Sequence, residues 1–160
     1  MFRSLALTAA FLAPMSVAAQ ELPTAPYLPL DMAVTAAQAV VAACSAEKYN
    51  VSVAIVARDG STKVVLKADN SGPHTAASAT GKAFTAAAMG RDTAELAEFI
   101  ASNPQNAGLR DMDDRLVIQA GGLPIRIGGA LVGGIGVGGA PSGDIDATCA
   151  RAGLDAIGAE

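Results

Sequence analysis

Few side chains in this sequence have the type and spacing that chemistry needs. His74 is the only histidine. It stands in a Gly-Pro-His-Thr turn at the mouth of an expected helix, where an imidazole can ligate haem iron or another transition metal. The plainer expectation is a surface turn residue, or a side chain capping the helix that begins at Thr75. Lys82 falls mid-helix among Ala79, Ala83, Phe84 and Ala86. Its stem can run along the helix edge and deliver the charge to water. The sharper alternatives are a cation awaiting a carboxylate-bearing ligand, or an amine able to form a Schiff base. Asp111, Asp113 and Asp114 cluster with Arg110 and Arg115 in a polar stretch. A solvated loop is the expectation there, weak metal binding the alternative. One histidine without a cysteine cluster excludes a conventional zinc centre. Ser142 lies in Gly-Ala-Pro-Ser-Gly, which is not the nucleophile elbow G-x-S-x-G, and no hydrolase triad can be assembled around it.

Gly134, Gly136 and Gly139 spell the G-x-G-x-x-G of a dinucleotide-binding turn. That turn works only between a strand and a helix that leads to a second parallel strand with an acidic tip. Here the preceding strand belongs to a hairpin. Asp155 lies at a tempting distance but on a helical stretch. No Gly-Lys-Ser or Gly-Lys-Thr supports a P-loop either. The spelling is therefore expected to be coincidental. Glycines at 133, 134, 136, 138 and 139 instead leave one strand face nearly bare. Such a face lets a helix, a neighbouring subunit or a flat ligand come close.

The elements that must position these residues follow from patterning. Asp31 is expected to cap a helix reaching about Lys48, with Ala33, Ala37, Val40, Val41 and Cys44 on one face. Val51 to Asp69 reads as a β-hairpin turning at Asp59-Gly60. A helix is expected from Thr75 to Met89, stopped by Gly90, with Gly81 marking a close approach to a backbone or ligand. Asp92 and Glu95 have capping-box spacing for a short helix to about Ala101. Residues 104–115 read as irregular. Three β segments follow, at Leu116–Ala120, Leu123–Ile127 and Ala130–Val137, the last two joined by a Gly128-Gly129 turn. Ser142 or Asp144 opens a final helix to about Ile157, whose stripe Ile145, Cys149, Ala152 and Ala156 faces inward. The order α-β-β-α-α-β-β-β-α implies an α+β fold, an antiparallel sheet of about five strands with helices packed against it.

Cys44 and Cys149 are the only cysteines, both expected to face inward. Their spacing fits neither zinc nor a C-x-x-C redox motif. A disulfide is the first expectation; two buried thiols or a ligand role are the alternatives.

The first residues carry a compartment signal. Arg3, an apolar run over Leu5–Ala13 and small residues at Ser16–Ala19 have the form of a secretory signal peptide over 1–19. Residues 20–29, with Pro23, Pro26 and Pro29, read as an extended leader, and 30–160 as one domain. The expected location is the periplasm or outside the cell. The chain of 160 residues has a formal net charge of −4 and no Trp. Without basic clusters it offers nothing to nucleic acid or anionic membranes, and later stretches are too short and interrupted to span a bilayer.

The stretches Thr80–Gly90, Gly121–Leu154 and Val53–Gly60, together with the first helix, resemble the GlcG/HbpS-type haem-binding family, also called the haem-degrading domain family. The resemblance covers about residues 30–157. It implies an antiparallel sheet flanked by helices, a homo-oligomer, and haem or another small planar or organic ligand as partner and cofactor. Lys82 matches the family lysine, and Gly121, Gly122 and Pro124 match its pocket-side turn. Gly138 departs from a serine common in the family, which removes one hydroxyl. His74 becomes the candidate axial ligand of haem iron, with Thr75, Lys82, Gly121 and Gly122 beside it as ligand-binding candidates. Binding, as sensor or carrier, is the leading function; a haem-degrading enzyme or a non-catalytic accessory subunit of an exported redox or transport system is the alternative. No acid–base pair in the sequence supports catalysis.

Overall fold

The computed structural model describes residues 21–160. The expected signal peptide, 1–19, lies outside them. Residues 21–29 adopt neither helix nor strand, but Leu28 is buried and anchors the segment.

Helix α1 runs Leu30–Ala46 and hairpin β1–β2 spans Ser52–Ala57 and Thr62–Lys67. Helices α2, Thr75–Met89, and α3, Thr93–Ser102, come next, then a 3-10 segment over Pro104–Asp111. Strands β3, Gly122–Ile127, and β4, Ala130–Gly138, form the second hairpin, and α4 spans Gly143–Ala156. The four strands make one antiparallel sheet in the order β2-β1-β4-β3.

One expected strand is absent. Leu116–Ala120 is irregular, so the sheet has four strands and not about five. The reason lies in where its backbone finds partners. Val117 N donates to the Thr85 hydroxyl at 2.8 Å, Ile118 O accepts from Arg110, and Gln119 O accepts from Thr93 at 2.6 Å. Side chains satisfy polar groups that a ladder would otherwise have to satisfy. One helix start shifts, and one expected cap makes no side-chain bond. Pro29 occupies the N-cap of α1, leaving Asp31 inside its first turn, and Asp92 precedes α3 without a capping bond.

The sheet is sandwiched. Val53, Ile55, Ile135 and Val137 join residues of α1 and α4 in the main core, while Ala54 and Val56 point to α2. Strand alternation also sends Gly134, Gly136 and Gly138 toward α2. There they meet the helix backbone: a Cβ on Gly136 would lie 3.1 Å from Ala83 Cα, and one on Gly138 would lie 3.2 Å from Thr75 O. The bare strand face is thus the floor on which Ala79, Ala83 and Ala87 rest. Among the three occupants the bare face allowed, the helix is the one present. The turn to β4 is tight, with φ of +56° at Gly128 and +78° at Gly129, values that suit glycine and a type I′ hairpin.

On the other face, Cys44 of α1 and Cys149 of α4 are disulfide-bonded, their Cα atoms 5.6 Å apart. The inward face of α4 is rotated from the expected stripe. Asp146, Cys149, Ala150, Gly153 and Leu154 are buried, whereas Ala156 is exposed.

Candidate functional site

Strand β4 and helix α4 are joined by Gly139–Ser142, and this corner faces the start of α2. Gly139 has φ +126°, and Ser142 caps α4 by accepting a bond from Ile145 N at 3.3 Å. Between the two helix starts lies a polar groove of about 300 Å³. Its walls include Gly72, His74, Thr75 and Ser78 on one side and Ala140, Ser142 and Asp146 on the other, with Lys82 beneath.

Lys82 is the structural centre of this groove. Its side chain is only 3% exposed, so it does not run to water along the helix edge. Nζ donates to Val137 O and to Asp146 Oδ2, each at 2.9 Å. The other carboxylate oxygen, Oδ1, accepts from Ala140 N at 3.0 Å. A buried charge needs such pairing, because its loss of hydration costs several kcal/mol. The pair also ties α2, on one face of the sheet, to α4, on the other, around the sheet's end.

Gly121 and Gly122 stand behind the lysine and do not line the groove. A Cβ on Gly121, whose φ is +113°, would lie 2.9 Å from Lys82 Nζ and 2.7 Å from Asp146 Cβ. A Cβ on Gly122 would lie 2.7 Å from Thr93 Cγ2. Their role here is to leave room for the ion pair and for the backbone of α2. Thr75 lines the groove, yet its hydroxyl is buried and bonded to Gly72 O and Ser52 Oγ, both at 2.8 Å. His74 is exposed at the mouth, in the N-cap position of α2, but its side chain makes no capping bond. The structure therefore gathers His74, Thr75 and Lys82 at one groove.

Asp146 was not among the residues singled out in the sequence. Its signal was present: it lies three residues before Cys149, on the same helix face. Attention to apolar stripes passes over a carboxylate in that position.

The acidic loop is organised by itself. Arg115 donates to Asp113 through Nε at 2.9 Å and Nη2 at 2.7 Å, and its guanidinium lies 4.0 Å from the centre of the Phe84 ring. These bonds hold the Asp113 carboxyl down at about 2. Among the described residues no group of three or more acidic, histidine or cysteine side chains is placed to hold a metal ion. A second, more apolar groove of about 610 Å³ lies between β2, α2 and this loop, lined by Val56, Val65, Thr80, Phe84 and Val117 among others. Ser78 borders both grooves.

An antiparallel sheet with helices on both faces, and a polar groove where two helices begin, defines a small α+β domain with a ligand-sized recess. Residues 28–155 match the family described as haem degrading protein, HbpS-like, and the chain belongs to that family. A glutamate-to-aspartate double variant of HbpS from Streptomyces reticuli is 42% identical, with a TM-score of 0.80 over 91% of this chain and 97% of that one. Another HbpS structure is 45% identical, with a TM-score of 0.80 over 87% and 97%. The PduOC–haem complex is 25% identical, with a TM-score of 0.75 over 84% and 98%. No curated protein matches the chain.

Proposed function

We propose that this chain binds haem or a closely related tetrapyrrole at the groove between the starts of α2 and α4, with His74 as axial ligand. The observation that carries the reading is an exposed imidazole at the mouth of a groove floored by a buried ammonium, in a chain of the HbpS-like family. A groove of about 300 Å³ is at the lower end of small-molecule sites, which run from roughly 300 to 1,000 Å³. At that size it would hold only an edge of a macrocycle. Bound haem would supply an iron centre; the chain's part is to hold the ring and present one nitrogen ligand. We also place the protein outside the cytoplasm, on the signal-like form of residues 1–19, and infer a homo-oligomeric carrier or sensor from its membership of the HbpS-like family.

Haemin titration tests the binding. A Soret shift that saturates in the wild type and changes in position or affinity in His74→Ala is expected. No shift at all overturns the haem reading; a shift identical in the variant overturns the role of His74. Intact mass of protein from the periplasmic fraction tests export, with a mature chain beginning at Gln20 as the expected result. The family's description favours a second reading, oxidative haem degradation. Loss of the bound chromophore with release of an opened tetrapyrrole, on addition of a reductant and oxygen, separates it from passive binding.

A further inference from the structure

We propose that the same groove contains a carboxylate seat built on Lys82. An ammonium has three N–H donors. Two are used, on Val137 O and Asp146 Oδ2, and the side chain is 3% exposed while lining the groove. The third donor has no protein acceptor among the described hydrogen bonds. Asp146 stands in the same wall with its oxygens bonded by Lys82 and by Ala140 N, so the pair carries no net charge and the seat rests on the remaining N–H of Lys82.

The rest of the lining is rich in donors. Ser142 Oγ accepts from Ile145 N, so its O–H remains free to donate. Ser78 and Gln119 add a hydroxyl and an amide, and His74 an imidazole. The groove also opens on the N-terminal ends of two helices, of 15 and 14 residues. The first turn of α2 has no acidic residue and its partial positive charge favours an anion, whereas α4 already carries Asp144 and Asp146 in its own. Together with the third N–H of Lys82, these donors suit the oxygens of a carboxylate.

Two sources carry that chemistry: a propionate arm of the tetrapyrrole, or a free small carboxylic acid. The first rests on the tetrapyrrole reading; the seat itself does not. Two ligand pairs distinguish them. Haemin is compared with its dimethyl ester, and sodium propionate with propionamide, the latter pair followed through the amide resonances of Gly139, Ala140 and Gly143.

Binding of haemin at least tenfold tighter than the ester assigns the seat to the tetrapyrrole. Equal binding of haemin and ester, with groove shifts for propionate and none for propionamide, assigns it to a free acid. Absence of discrimination in both pairs overturns the proposal, even where haemin binds. The double variant Lys82→Met/Asp146→Leu removes the charge without leaving a lone buried partner, and is expected to abolish the discrimination. A double variant that folds and still prefers the charged member of either pair also overturns it.

Discussion

Asp146 and Cys149 lie on the same inward face of α4, less than one helical turn apart, and bind that helix to two different layers. Asp146 reaches Lys82 of α2, and Cys149 is bonded to Cys44 of α1. The groove corner is therefore fixed from both faces of the sheet. Removing Lys82 alone, as in Lys82→Met, strands a carboxylate that is only 4% exposed. Breaking one side of a buried pair costs roughly 3–5 kcal/mol, whereas replacing both partners with apolar residues is often neutral or better. Denaturant melts should show the single variant destabilised on that scale and Lys82→Met/Asp146→Leu largely restored. Equal destabilisation of both variants would show that the pair's geometry, and not its charge balance, holds the corner.

The disulfide spans a sequence separation of 105. In the chain-entropy account a closed loop of that length stabilises by about 4–5 kcal/mol. Cys44→Ser/Cys149→Ser should lose most of that in denaturant melts, and reductant should lower the wild-type midpoint without affecting the variant. A midpoint unchanged by the double substitution would show that the packing of α1 on α4 suffices.

Much of the architecture is legible in residue patterns because it depends on local rules. Gly90 at φ +65° ends α2 where a glycine stop was expected, and Gly128-Gly129 turns the hairpin as its spelling implies. The inward direction of both cysteines follows from helical spacing. What escaped was set by tertiary partners. Leu116–Ala120 has strand-like composition, but Thr85, Thr93 and Arg110 claim its backbone. Asp146 lies off the stripe Ile145, Cys149, Ala152 and Ala156 that patterning picks out, and its partner Lys82 is 64 positions earlier. Lys82 was expected first to carry its charge along the helix edge to water; it is instead buried against Asp146, a carboxylate that the chain itself supplies. The likeness of Gly134, Gly136 and Gly139 to a nucleotide turn dissolves in an antiparallel strand packed under α2.

That packing gives a contrast between two glycines. A Cβ at Gly136 meets the backbone of Ala79 and Ala83, which cannot move aside as a side chain can. Overpacking of this kind costs typically 1–3 kcal/mol, occasionally more. At Gly128 nothing lies within 4 Å of a new Cβ, so Gly128→Ala meets only the strain of φ +56°, about 1–2 kcal/mol. Thermal melts should therefore rank Gly136→Ala below Gly128→Ala, and only the former should alter hydrogen exchange along α2. The reverse order would place α2 farther from β4 than described.

Two perturbed carboxyls, Asp113 and Asp92, pull stability in opposite directions with pH. Asp113 is held at about 2 by side-chain and then backbone bonds from Arg115. Its folded value is below its unfolded one, so its contribution is complete above the usual carboxylate value and is lost as pH falls through about 2. Asp92 is raised, first by burial and then by the charge of Glu95. Its contribution is present below the usual value and disappears as pH rises through the folded one. Carbon-detected titration of the carboxyls should place Asp113 well below Asp92. Asp113→Asn should flatten the acid limb of the stability profile, and Asp92→Asn should raise stability near neutral pH. Coincident titration of the two groups would show that neither the Arg115 bonds nor the burial at the start of α3 persists in solution.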